Sequence, residues 1–415
     1  MPYTEDTPQS SKLFLGQKRS DRASPARPGQ GAVQSSWKIA IDARIINSST
    51  GRYVERLIYH LEKLDHDNNY LILVPKKDLN YYKPTNPRFT IVEADFDSYS
   101  FSEQVGFLGL LNRLKPDLVH FCMPQQPILY RGRHVTTVHD LILLNTYNSD
   151  KNYLMFKAKQ LVGRAVFKII GKTSDYILCP SHYVQKAYTN YTHIDPSKVI
   201  LTYEGCDIAS TKPQEYSALK NKRYILYVGQ QSDYKNIRRL MQAHQALRQT
   251  HPDLLLVLVG RLSGKNGPPL VANRDWAKTQ GFQGLLYTDF LPDEQLLWTL
   301  QHAQAYVFPS LMEGFGLPGL EAMAAGAPVI SSNATSLPEI YGDGAHYFDP
   351  LDVSDIVRAI NDVLQNPKLA DELRQKGHTR VAQYSWQRMA EETLSVYNLA
   401  ITRSNSGRLH DHQSD

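Results

Sequence analysis

The chain has 415 residues, of which 42% are hydrophobic and 21% charged, with a net charge of +5. That composition can build a large core over two to three domains, and it lacks the clustered basicity of a nucleic-acid binder. No apolar run approaches the roughly 18 residues that span a bilayer; Cys122, Cys179 and Cys206 are too few and too widely spaced for a zinc site or a disulfide framework, which fits a reducing, cytoplasmic setting.

Residues 1–36 are rich in Ser, Pro, Gly, Gln and charge. They cannot bury enough apolar surface to offset their ordering entropy, so a disordered tail is expected, without the apolar core of a signal peptide. From Trp37 onward, short apolar runs alternate with longer helical patterns. The first series of candidate strands is Lys38–Asp42, Tyr70–Val74, Phe89–Glu93, Leu118–Phe121, Val135–Val138, Tyr176–Cys179 and Val199–Tyr203. The second is Ile225–Val228, Leu254–Val259, Leu285–Tyr287, Ala305–Phe308, Val329–Ser331 and His346–Phe348. These runs are nearly continuous in Val, Ile, Leu and Tyr, as strands buried on both faces are. The alternation predicts an α/β protein built of right-handed βαβ units.

Between the two series, Cys206–Asn221 is polar, contains Pro213 and has no strand pattern. It divides the chain into Rossmann-like halves at 37–207 and 208–385. A last helix is expected from an N-cap at Ser385, covering 386–402 and returning to the first half, before a frayed polar tail at 403–415. Within the first half, Lys151–Lys172 carries six basic residues, no acidic one, and an apolar stripe of Leu154, Phe156, Leu161, Val162, Ala165, Val166, Ile169 and Ile170. Such a helix either packs on the sheet with a solvated basic face or rests on anionic lipid; the packed reading is preferred.

The strongest chemical signal is PSLMEGFGLPGLEAMAAGA at 309–327. A strand gives way to the turn Gly314-Phe315-Gly316, Pro318 stands where a helix opens, and Gly326 closes it. Free N–H groups at such a helix start suit an anion, in particular a diphosphate. Glu313 precedes the turn and Glu321 is expected in the first turn of the helix, eight residues on. Carboxylates so placed can accept hydrogen bonds from sugar and ribose hydroxyls. Alternatively, Glu321 merely complements the helix dipole and Glu313 is a surface turn residue.

The segment EGFGLPGLE resembles the signature of the family 4 retaining glycosyltransferases of the GT-B fold. The likeness extends from Lys38 to about Thr402 through TGRYVERLIYHL, TVHDLI, PSHYVQKAY, YVGQQSDYKN and SLPEIYGDGAHYFDP. It implies two Rossmann-like parallel-sheet domains facing across a cleft, an N-terminal acceptor domain and a C-terminal nucleotide-sugar donor domain. It also implies transfer of a hexose with retention, no divalent metal and no cofactor. The implied partners are a nucleotide sugar and a glycan or lipid-linked acceptor, with no nucleic acid. The SLPEIYGDGAHYFDP segment is most similar to bacterial mannosyl- and rhamnosyltransferases, which makes GDP-mannose the first donor candidate and polysaccharide biosynthesis the setting. The location is then cytoplasmic, or peripheral at the inner membrane face through 151–172.

By resemblance, Glu321 holds the ribose, Glu313 lies beside the donor sugar, Phe315 and Gly316 offer backbone groups, and Leu317 leads into the helix. Lys235 binds the diphosphate, and His139 faces the donor sugar as the second catalytic candidate. Gly51 allows backbone to approach donor phosphate or acceptor. Asp140 and Arg52 are secondary candidates, and Glu103 belongs to a recurring Glu-Gln pair of unassigned role. The sequence departs from the pattern at Gln230, where many relatives carry Arg; Arg261 is a candidate substitute. Gln230 keeps open a catalytically weak GT-B scaffold that acts as a binding module. Another GT-B sugar-nucleotide enzyme is the remaining rival, since a dehydrogenase would need a Gly-x-Gly-x-x-Gly that DARIINSSTGR lacks.

Overall fold

The computed structural model describes residues 36–48, 50–145, 153–207, 211–261 and 267–408. The expected tail at 1–36 lies outside them except for Ser36, as do residues 409–415. Thirteen strands form among the described residues: β1 (Lys38–Asp42), β2 (Asn69–Val74), β3 (Phe89–Glu93), β4 (Leu118–Phe121), β5 (His134–Thr137), β6 (Tyr176–Cys179), β7 (Val199–Leu201), β8 (Tyr224–Val228), β9 (Leu255–Val259), β10 (Leu285–Thr288), β11 (Ala305–Phe308), β12 (Val329–Ser332) and β13 (Ala345–Phe348). They make two all-parallel sheets, ordered β3-β2-β1-β4-β5-β6-β7 and β10-β9-β8-β11-β12-β13. Each order reverses direction once, between β1 and β4 and between β8 and β11. Open parallel sheets bind ligands outside the strand ends at such switch points.

The sheets hold together through strands buried on both faces. All four residues of β4, β5, β11 and β12 are buried. The helix Gly51–Leu64 covers the first sheet with Tyr53, Val54, Leu57, Ile58 and Leu61, spaced at i, i+3 and i+4. The last helix runs Trp386–Arg408, six residues beyond the expected end at Thr402. It packs on the first sheet, not the second: Trp386, Met389, Tyr397 and Ala400 share a core with Ile39, Leu57 and Ile72. Tyr397 Oη lies 2.6 Å from His120 Nδ1, with both groups buried. Deleting an indole buried like that of Trp386 costs about 3–5 kcal/mol, so this helix stabilises the half of the fold opposite to the one it follows.

The basic helix spans Tyr153–Thr173. Its buried residues include Gln160, Gly163, Phe167 and Ile170, while Leu161 and Val162 are 70% and 54% exposed. Of the expected apolar stripe, Ile170 is buried and Val166 packs against the same core, while Leu161, Val162 and Ala165 face outward. Gly163 is buried, and Leu161 and Val162 stand outward with Arg164 and Lys168.

Candidate active site

Three cavities lie along the strand ends at the two switch points. One of about 400 Å³ has an apolar floor that includes Val228, Leu296, Leu297, Leu300 and Ala324, with Arg52, Arg56, Asp207, Asp293 and Glu321 as its charged groups. A second, of about 310 Å³, is lined by residues that include Thr50, Tyr53, His139, Asp140, Glu204, Gln230, Lys235 and Glu313 to Pro318. A third, of about 240 Å³, is lined by Ile45, Ser48, Met123, Pro124, Gln125 and Phe167, and shares Thr50, His139 and Asp140 with the second. Of the residues singled out in the sequence, His139, Asp140, Lys235, Gln230, Glu313, Phe315, Gly316, Leu317 and Arg52 meet in the middle cavity, and Glu321 in the first.

The turn after β11 is fixed before any ligand is considered. The Glu313 N–H donates to Thr335 Oγ1 at 3.0 Å, Ser336 Oγ donates to the Glu313 carbonyl at 3.0 Å, and Tyr341 Oη donates to the Gly316 carbonyl at 2.6 Å. Gly316 holds φ +104°, a left-handed value that a side chain would strain, and the helix Leu317–Ala324 opens directly after it. The Phe315 ring is buried edge-on to Tyr384, so this residue turns only its backbone to the cavity. Glu321 is the fifth residue of that helix, past its first turn. It therefore does not complement the helix dipole, whose effect fades within that turn; its carboxylate lines the first cavity and pairs with Arg52 from the other half.

Lys235 Nζ lies 2.6 Å from Glu313 Oε1. Burial works against the ammonium, but the charge and hydrogen bond of Glu313 override it and raise the Lys235 pKa. His139 follows β5 and is held at both nitrogens: Nδ1 is 3.2 Å from Glu204 Oε1 and Nε2 is 3.0 Å from the Cys122 carbonyl oxygen. Tyr53 packs edge-on against the ring at 4.7 Å. Burial disfavours the imidazolium, yet the hydrogen bond and charge of Glu204 and the Cys122 carbonyl raise its pKa. Two acceptors facing the two ring nitrogens favour the protonated ring. Asp140, whose carboxylate accepts from the Ile142 N–H at 2.8 Å, has its pKa raised, chiefly by burial.

The two halves touch at the Gly-rich turn. A Cβ on Gly314 would overlap the His139 carbonyl oxygen, and Ser181 Oγ donates to the Gly314 carbonyl at 2.7 Å. Gly51 packs its Cα against the Ile46 carbonyl and opens its helix; it does not line the three cavities, although its neighbours Thr50 and Arg52 do. Arg261 stacks over Phe290 at 5.2 Å and lines none of the three. Glu103 is buried and ion-paired with Arg44 at 2.9 Å, away from the cavities.

Glu204 and Arg44 are the residues that sequence reasoning missed. Glu204 stands three residues beyond β7, and a carboxylate at a strand's C-terminal end was the one signal available. Among the described residues, no group of three or more His, Cys, Asp or Glu side chains is arranged as a metal site, and no helix is long and apolar enough to cross a membrane.

Comparison with known proteins bears on the whole of this region. Residues 50–210 match the family described as Glycosyltransferase Family 4, and residues 209–380 match Glycosyl transferases group 1. The chain is 37% identical over 177 residues to the O-antigen chain mannosyltransferase B of Escherichia coli, a match that covers 42% of this chain and 46% of that one. It is 31% identical over 286 residues to the serotype-specific mannosyltransferase WbdA of Escherichia coli, covering 65% of this chain and 34% of that one. The matches thus span less than half the length of these relatives. Sucrose-phosphate synthase from Thermosynechococcus elongatus shares the fold, with a TM-score of 0.70 at 19% identity over 88% of this chain and 98% of that one.

Proposed function

The chain belongs to the GT-B glycosyltransferases, family 4 in its first half and group 1 in its second, and from that premise we propose that it is a retaining hexosyltransferase that takes mannose from GDP-mannose. The observation that carries the reading is the convergence of Glu313, Lys235, His139 and the start of the helix Leu317–Ala324 on one cavity between the two halves. The nucleoside occupies the adjoining apolar cavity with its ribose hydroxyls on Glu321. The diphosphate meets Lys235 and the positive end of the helix Leu317–Ala324, where Pro318 has no N–H and the Gly319 N–H donates to the Gly316 carbonyl. The mannose lies between Glu313 and His139, and a glycan or lipid-linked acceptor enters through the third cavity.

Bond cleavage leaves negative charge on the nucleoside diphosphate. Groups already aimed at that charge, Lys235 and the helix start, supply the stabilisation. His139, held by Glu204 and the Cys122 carbonyl, adds positive charge beside the sugar when protonated, and the acceptor hydroxyl attacks from the face the leaving group vacates. The chain itself holds the charges this step needs, so no divalent ion is invoked. Leu161 and Val162, exposed beside basic side chains, support an acceptor presented at the inner membrane face.

The test is thermal stability against GDP, UDP, ADP and dTDP and their sugars with chelator present. A ligand at 100 times its Kd adds about 2.7 kcal/mol of stability. Stabilisation by GDP without metal, abolished by Glu321→Ala, supports the reading. If none of these stabilises the protein, the neutral Gln230 favours a binding module on the same scaffold.

A further inference from the structure

The diphosphate of a sugar nucleotide has to lie where the nucleoside and sugar cavities meet. Three residues line both cavities: Arg52, Val228 and Pro318. Only Arg52 is charged. It comes from the first half, on the helix Gly51–Leu64, and reaches across the cleft to the carboxylate of Glu321 on the second.

The charges around the sugar cavity single out this cation. Its lining includes the carboxylates Asp140, Glu204 and Glu313, and the basic groups Lys235, His139 and Arg52. His139 is committed to Glu204, and Lys235 to Glu313. Gln230, at the end of β8, lines the same cavity but brings no charge. Apart from Arg52, the basic groups of this lining already face carboxylates, which leaves Lys235 and the helix start as the other groups aimed at a diphosphate.

We propose that Arg52 supplies, from the first half, the second cation that binds the donor diphosphate, exchanging Glu321 for phosphate oxygens as the ribose takes that carboxylate. A guanidinium can hold two phosphate oxygens in a rigid planar fork, where an ammonium acts as a point charge. The Arg52 side chain is 47% exposed and Glu321 33%, so the exchange breaks a screened pair, not a buried one. It also ties donor binding to cleft closure, because the cation and the helix start belong to different halves. This inference rests on the transferase reading above.

The experiment measures binding of GDP and GMP to wild type, Arg52→Ala, Arg52→Lys and Arg52→Ala/Gln230→Arg, with UDP/UMP, ADP/AMP and dTDP/dTMP in parallel. Arg52 is exposed, so the variants are expected to keep the wild-type melting temperature. For the base that binds, Arg52→Ala should weaken the diphosphate at least tenfold and the monophosphate no more than about threefold. Arg52→Lys should fall between, and Gln230→Arg, a cation on the same cavity wall, should restore most of the loss. Equal weakening of mono- and diphosphate would overturn the proposal and leave Arg52 as a support for Glu321; so would no weakening at all. If no nucleotide binds the wild type, the transferase reading falls and this inference falls with it.

Discussion

Lys235 and Glu313 meet at 2.6 Å across 78 residues of sequence, with side chains only 14% and 11% exposed. One lies after β8 and the other after β11, the two strands that flank the switch point of the second sheet. The pair therefore ties together the loops that follow these two strands.

Removing one member of a nearly buried pair leaves the other charge uncompensated, at a cost of about 3–5 kcal/mol. Lys235→Ala and Glu313→Ala should each lower stability on that scale and turnover by about 100-fold or more. The double variant should recover much of the stability and none of the turnover. Denaturant unfolding and single-turnover transfer separate the two effects. A double variant as unstable as the sum of the singles would show that the pair is not coupled.

The His139–Glu204 contact predicts a pH dependence. The His139 pKa is raised above its ordinary 6.5 in the folded protein. Its contribution to stability is then fully present below about pH 6.5 and is lost as pH rises through the folded value. Glu204→Gln removes the charge that opposes desolvation, so the imidazole pKa should drop below its ordinary value. The stability difference between wild type and Glu204→Gln should be largest in mild acid and shrink as pH rises through the raised folded value. The groups that face the ring are Tyr53, Cys122, Asp140 and Glu204. A difference constant with pH would mean that Glu204 only packs there.

Much of this was legible in the sequence because strands buried on both faces are written as unbroken Val, Ile, Leu and Tyr. All thirteen runs became strands, with ends that moved by a residue or two. The run at Val199–Tyr203 stops at Leu201, and Glu204 then turns back to His139. That partnership spans 65 residues and leaves no local pattern. The stripe on Tyr153–Thr173 was legible only in part: Ile170 and Val166 pack, but Gln160 and Gly163 share the buried face and an apolar stripe does not count them. The EGFGLPGLE turn was readable because its glycines answer backbone requirements, whereas the cross-cleft pairing of Arg52 with Glu321 depends on how two halves meet.

Gly314 marks that meeting. Its Cα lies so close to the His139 carbonyl that a methyl group there would force the halves apart. Gly314→Ala should lower turnover at least tenfold, since a displacement of about 1 Å between reacting groups can cost about 100-fold. Binding of a nucleoside monophosphate, centred on the second half, should change no more than about threefold, whereas the diphosphate, which also needs Arg52 from the first half, should weaken further. Isothermal titration beside steady-state transfer measures both. Unchanged turnover would show that the contact is not part of the working geometry.

Arg44 is buried between Asp42 and Glu103, with Nη2 at 2.8 and 2.9 Å from their carboxylates. It also donates to the carbonyls of Phe96 at 3.1 Å and Gln125 at 3.0 Å. Gln104, next to Glu103, donates to the Gln126 carbonyl and accepts from the Ile128 N–H. Together they fix the loop whose Met123, Pro124 and Gln125 wall the third cavity. Arg44→Leu strands two carboxylates that are 0% and 1% exposed and should cost about 3–5 kcal/mol. Glu103→Gln should cost less, about 1–3 kcal/mol. Burial already pushes the Glu103 pKa up, and its Oε1 receives no well-aimed hydrogen bond, so a neutral amide loses little there. Urea unfolding of both variants gives the order directly. Equal losses would mean that Glu103 anchors the cluster as much as Arg44 does, and that the loop is held by the balance of charge and not by the guanidinium's carbonyl contacts.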